Sequence, residues 1–139
     1  MKITGEIKKF DASRRLVFGW ASVSVDADGN AVVDSDGDVV PIAELELAAY
    51  DFVQFSGEGR AMHEGNTVAR LVESMVFTPD KIAALGIEGQ VPLGWWVGFK
   101  VFDDGVWARV KNGELSMFSI GGRAKREAVS NERAEGNPA

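Results

Sequence analysis

The run Leu93 to Phe102, LGWWVGFKVF, gathers Trp95, Trp96, Val97, Phe99, Val101 and Phe102 into one short stretch. So dense a mix of aromatic and β-branched side chains reads as a strand buried on most of its surface, and such a strand needs a sheet that other segments supply. Those segments are present. Ile3, Gly5 and Ile7, and then Leu16 to Val25, alternate with polar residues in the period-2 pattern of half-buried strands. The short polar connection Asp11-Ala12-Ser13 makes them a hairpin, and Gly19 within the second run signals a bend or close packing. Arg60 to His63 and Thr67 to Phe77 read as two further strands joined by Glu64-Gly65-Asn66, which puts His63 at a strand end. Leu115 to Ala124 is the last expected strand.

Helical spacing is clear once. In Ile42 to Phe55, Ile42, Leu45, Ala49, Phe52 and Val53 recur at three- and four-residue intervals, with Pro41 at the start and Ser56-Gly57 as the stop. Thr78-Pro79-Asp80 opens a short second helix that Gly86 ends. Val106 to Lys111 alternates like a strand but also shares a helical face; Asp104 as a cap and Asn112-Gly113 as a stop favour one or two helical turns. The expected class is therefore mostly β with a few helices, α+β, in one domain over residues 1–124. Residues 125–139, charged, small or rich in Gly and Pro, read as a flexible tail or the start of a linker.

Composition narrows the function. Fifteen Lys plus Arg against 21 Asp plus Glu give a net charge of −6, which disfavours a sequence-independent grip on nucleic acid and points to protein partners. Without cysteine there is no disulfide, thiolate zinc site or cysteine nucleophile, and a lone histidine, His63, excludes a multi-imidazole metal centre within one chain. No cofactor or metal is expected. The stretch DADGNAVVDSDGD from Asp26 to Asp38 looks like a calcium loop, but the sixth and twelfth positions of an EF-hand would be Ala31 and Gly37 rather than Gly and Glu, so it reads as a solvated acidic turn. No run approaches the roughly 20 apolar residues of a spanning helix, and the first residues hold no apolar signal core, so a cytoplasmic protein away from membranes is expected.

What remains for chemistry is one histidine, some hydroxyls and many carboxylates. Ser119 lies in an apolar strand beside Gly121-Gly122, where backbone amides can approach a carbonyl; it reads either as a nucleophile or as a buried serine bonded to backbone. His63 reads either as the base for such a serine or as a partly exposed strand-end residue. Trp95, Trp96 and Trp107 read as core or subunit contact before a peptide platform. An apolar surplus on the first helix, including Leu47, is compatible with self-association.

Four blocks in order, Phe18-Gly19-Trp20-Ala21-Ser22-Val23, Ala61-Met62-His63-Glu64-Gly65, Leu71-Val72-Glu73-Ser74, and Gly94 to Lys100 leading to Phe118-Ser119-Ile120-Gly121-Gly122, resemble the XkdF-like family of tailed-phage prohead proteases. The resemblance implies a capsid-maturation serine endopeptidase with a fold similar to herpesvirus assemblin, an antiparallel β-barrel flanked by helices. It implies Ser119 as nucleophile and His63 as general base. The acidic third member is assigned to Glu73, in the strand after His63, with Glu64 and Glu114 as reserves. Backbone amides around Ile120, Gly121 and Gly122, and the side chain of Arg123, are the oxyanion and substrate candidates. The implied partners are the phage scaffold and major capsid proteins, with a second copy of the chain as a further candidate, inside the prohead in the host bacterial cytoplasm. The alternative is a catalytically inactive prohead module, structural or protein-binding, with the same barrel; a calcium-dependent adhesion module on Asp26 to Asp38 stands third.

Overall fold

A computed structural model describes residues 2–33, 37–60 and 67–121. The chain runs through β1 (Lys2–Asp11), β2 (Leu16–Val25), α1 (Ile42–Phe55), β3 (Glu58–Arg60), β4 (Thr67–Phe77), α2 (Pro79–Leu85), β5 (Leu93–Val101), α3 (Asp104–Lys111) and β6 (Met117–Gly121). This is the expected α+β class. Four long strands in the order β1-β2-β5-β4 form a continuous antiparallel sheet, with Trp20 opposite Trp96 and Trp96 opposite Met75. The short β3 and β6 extend its two edges, β3 on β4 and β6 on β1. They meet through the pair Arg60↔Ser119, so the strand order runs in a ring whose closing seam is a single residue pair rather than an extended ladder.

The run that read as a buried strand is central. On β5, Trp95, Val97, Phe99 and Val101 alternate into the core with Val17 and Ala21 of β2 and Val68 and Val76 of β4. Across this face lies α1, whose Leu45, Ala49 and Phe52 are buried and whose Phe52 ring meets Trp95 and Phe99 edge-on, with centroids 5.6 and 6.4 Å apart. Trp107 and Val110 of α3 complete the cluster. Burial of large side chains of this kind contributes roughly 1.5–3 kcal/mol each, which is what holds a lone helix on the sheet.

Local signals act as expected with small displacements. Thr78 caps α2 by accepting from the Lys81 amide, and Gly86 ends it at φ +75°, a left-handed conformation that suits glycine. The ambiguous segment after β5 is a helix, but its cap is Asp103, which accepts from the Val106 amide at 2.9 Å, rather than Asp104, which occupies the first turn. β3 stops at Arg60 in the described chain, and the expected continuation to His63 lies outside the described residues. The expected tail, 125–139, also lies outside them.

Candidate active site

Ser119 is the third residue of β6 and lies opposite Thr4 on β1 and Arg60 on β3. It is the position at which the ring of strands closes. Ile120 and Gly121 follow opposite Ile3 and Lys2, while Gly122, Arg123, His63 and Glu64 lie outside the described residues. The antiparallel pairing fixes one useful relation: the chain leaves β3 at Arg60, directly across from Ser119, and His63 is three residues further on. Arg60 and Thr4 were not legible as site neighbours, because nothing in a sequence announces which strands will flank a serine.

Glu73 is placed differently. It is exposed on β4 opposite Gly98, just after a bulge at which Val72 is passed over between the pairs Leu71↔Phe99 and Glu73↔Gly98. Thr67, the β4 residue paired with Arg60, is six residues earlier, or about 20 Å of extended strand. The sheet thus brings Arg60 and Ser119 together and leaves Glu73 well along β4 from that row. Glu114 sits in the connection from α3 to β6, where its amide donates to Asn112 Oδ1 at 3.0 Å and its carboxylate accepts from Asn112 Nδ2 at 3.1 Å.

The remaining candidates resolve more simply. Trp95 and Trp107 are core, whereas Trp96 is half-buried on the opposite face of the sheet, edge-on to Trp20 at 5.3 Å, and Trp20 also meets Phe77 at 5.6 Å. The acidic turn spends Asp26 on its own backbone, for Oδ1 accepts from the amides of Asp28 and Asn30 at 3.0 and 2.9 Å. Among the described residues no group of three or more His, Asp or Glu side chains is arranged to hold a metal ion. An open depression of about 350 Å³ at α3 is lined by Arg15, Asp104, Trp107, Ala108, Lys111 and Asn112, with Arg15 Nη1 held 2.7 Å from Asp104 Oδ1.

The electrostatic features of the described surface are structural. The Arg14 guanidinium and the Ser13 hydroxyl hydrogen-bond Asp11 at the β1–β2 turn and hold its carboxyl well below the usual carboxylate range. Lys81 on α2 and then Tyr50 donate to Glu46 and lower its pKa in the same way, tying α2 to α1.

Residues 4–128 match the family described as "Putative phage serine protease XkdF". The chain belongs to the XkdF family of phage serine proteases. The match spans β1 to β6 and includes Ser119, His63 and Glu73. A Bacillus subtilis (strain 168) protein described as "Uncharacterized protein YqbD" is 29% identical over 110 residues, which cover 74% of this chain and 33% of that protein. The chain spans about a third of the length of this relative. No solved structure matches it.

Proposed function

We propose that this XkdF-family chain is a serine endopeptidase of phage prohead maturation, cleaving scaffold and capsid-protein segments by acyl transfer, with its own chain as a further candidate substrate. The observation that carries this reading is the Arg60↔Ser119 pair: it sets the strand leading to the chain's only histidine against the strand holding the serine, within a match to the family that covers nearly the whole described domain. An antiparallel strand ring flanked by three helices is compatible with the assemblin-like barrel that the resemblance implies.

In this mechanism Ser119 Oγ attacks the scissile carbonyl carbon while His63 takes the hydroxyl proton, giving a tetrahedral oxyanion. Backbone amides in the stretch Ile120 to Gly122 receive that oxyanion, each such donor being worth about 3 kcal/mol in comparable sites, with Arg123 as an accessory cation. His63 then passes its proton to the departing amine, the C–N bond breaks, and an acyl-serine ester remains. Water, deprotonated by His63, hydrolyses the ester and restores Ser119. Glu73 is the proposed acceptor for the imidazole Nδ1–H; this role requires residues 61–63 to run back along β4, and Glu64 and Glu114 are the competing carboxylates.

A fluorophosphonate probe, which phosphonylates activated serines, tests the site without a known substrate. Labelling of Ser119, lost in Ser119→Ala and His63→Ala and reduced in only one of Glu73→Gln, Glu64→Gln and Glu114→Gln, supports the reading and names the third member. An unlabelled, folded parent argues for the non-catalytic prohead module instead.

A further inference from the structure

We propose that the outer face of the sheet, opposite the face that α1 covers, binds a second copy of the chain through a two-fold contact. The register sets out that face in rows across β1, β2, β5 and β4. Lys9, Phe18, Gly98 and Glu73 form one row, and Glu6, Trp20, Trp96 and Met75 form the next. Phe77 follows Met75 on the same side of β4, because alternate residues of a strand share a face. Glycines on β5 let rings from the flanking strands lie across it: a Cβ on Gly98 would come within 2.8 Å of the Phe18 ring, and Phe77, paired with Gly94, reaches Trp20 with centroids 5.6 Å apart. Trp96 meets Trp20 edge-on as well, at 5.3 Å. These rings are half-buried in the single chain. A contiguous aromatic surface on the side of a sheet that already packs by its other side marks a contact surface.

The ends of the first row choose the occupant. Lys9 and Glu73 are exposed and stand three strand spacings apart, about 14 Å, with Phe18 between them, so they do not pair within one chain. Among the described residues Glu73 has no ion-pair partner, and Lys9 has the Phe18 ring, with Nζ 5.2 Å from its centroid. Other charges of the face are engaged: Glu6 with Lys8, Asp11 with Arg14, Lys100 with the Arg14 carbonyl, and Arg70 has an interaction of its own. A two-fold axis parallel to the strands, midway between β2 and β5, exchanges β2 with β5 and β1 with β4 when two sheets pack face to face. Lys9 then faces the second copy's Glu73, Glu73 faces its Lys9, and Trp20 faces its Trp96. Opposite charges meet at both edges while the rings near the axis bury one another, which is the self-complementarity that an isologous contact requires. Residues 122–139 contain no aromatic residue, Leu, Ile or Met, so they offer little apolar cover for this face. A Glu73 carboxylate held by a second copy is not available to the His63 imidazole, and the contact therefore leaves the third catalytic position to Glu64 or Glu114. The surface argument rests on the sheet alone and stands or falls separately from catalysis.

The test is sedimentation velocity of the protein, of Lys9→Glu, of Glu73→Lys, and of an equimolar mixture of the two variants. The parent is expected to be dimeric at about 100 μM, and each variant alone to weaken the dimer roughly tenfold or more, since each sets like charges against each other at both symmetry-related edges. Both substituted side chains are exposed, so the variants should keep the parent's circular dichroism. In the mixture every edge again joins opposite charges, and association should return to about the parent's strength. Mixing cannot repair a variant that merely folds badly. A second measurement uses the parent alone: a carbodiimide, which joins a lysine amine to a carboxylate and takes up the water released, should link Lys9 to Glu73 between isotopically light and heavy chains. A parent that is monomeric at that concentration, folded variants that dimerise as the parent does, or a mixture no more associated than its components overturns the proposal. So does a crosslinked dimer that lacks the Lys9–Glu73 link between chains.

Discussion

Arg60 and Ser119 face each other across the β3–β6 seam, and no other residue pair is registered between those two strands in the described chain. Arg60 is also paired with Thr67, so its backbone sits between β6 and β4. Proline at this position removes the amide donor and is tolerated poorly between two partners. Arg60→Pro is therefore expected to lower turnover of a cleavable substrate at least tenfold, a loss of about 1.4 kcal/mol or more in barrier terms, while Arg60→Ala keeps most activity. Comparable rates in the two variants would show that the seam does not position the serine.

Trp95 is fully buried, and its Nε1–H donates to Ser74 Oγ at 2.9 Å. Ser74→Ala leaves that indole donor without the partner, a loss of about 1–3 kcal/mol for a buried group. Urea denaturation should show a lower midpoint with an unchanged slope. A midpoint equal to the parent's would mean that water replaces the hydroxyl.

Two glycines of β5 make different demands. A Cβ on Gly94 would lie 2.5 Å from the Ser22 carbonyl oxygen and 2.9 Å from the Val23 Cα, both main-chain atoms, whereas one on Gly98 would meet the Phe18 ring at 2.8 Å and Glu73 Cβ at 3.3 Å. A ring can rotate away more readily than a paired strand. Both alanine variants should be destabilised, on the scale of about 1–3 kcal/mol for overpacking, with Gly94→Ala the worse. Thermal melts that rank them the other way would contradict the packing of β2 on β5.

The acid limb of stability should carry a mark of Asp11. Its folded pKa is depressed by Arg14 and Ser13, so the carboxylate contributes stability above its unfolded pKa of about 3.9, and that contribution is lost as pH falls below it toward the folded value. Asp11→Asn should therefore show a shallower fall in melting temperature below about pH 4 than the parent, with the largest gap between them at neutral pH. Parallel curves would mean that the Arg14 pairing is no stronger in the folded chain than in the unfolded one.

Much of the architecture was legible because local and tertiary signals agreed. Pro41 and Ser56-Gly57 bracketed α1 correctly, and the dense apolar run at Leu93 became the central strand, since only a strand with partners on both sides can bury Trp95, Val97 and Phe99 together. The cap of α3 fell one residue early because Asp103 and Asp104 are chemically equivalent and only backbone geometry distinguishes them. For the site, residue types were readable and distances were not. Glu73 was readable as a carboxylate in the strand after His63, whereas its place along that strand, six residues or about 20 Å of extended chain beyond Thr67, needed the register. Leu47 of α1, readable only as an apolar surplus, lies exposed rather than in the core.

The most direct test of the central claim is intact-mass analysis of the phage's own scaffold and major capsid proteins after incubation with the parent, Ser119→Ala and His63→Ala chains. The account predicts defined cleavage by the parent and none by either folded variant. Cleavage that survives in Ser119→Ala, or a folded parent that leaves both proteins intact, would contradict it.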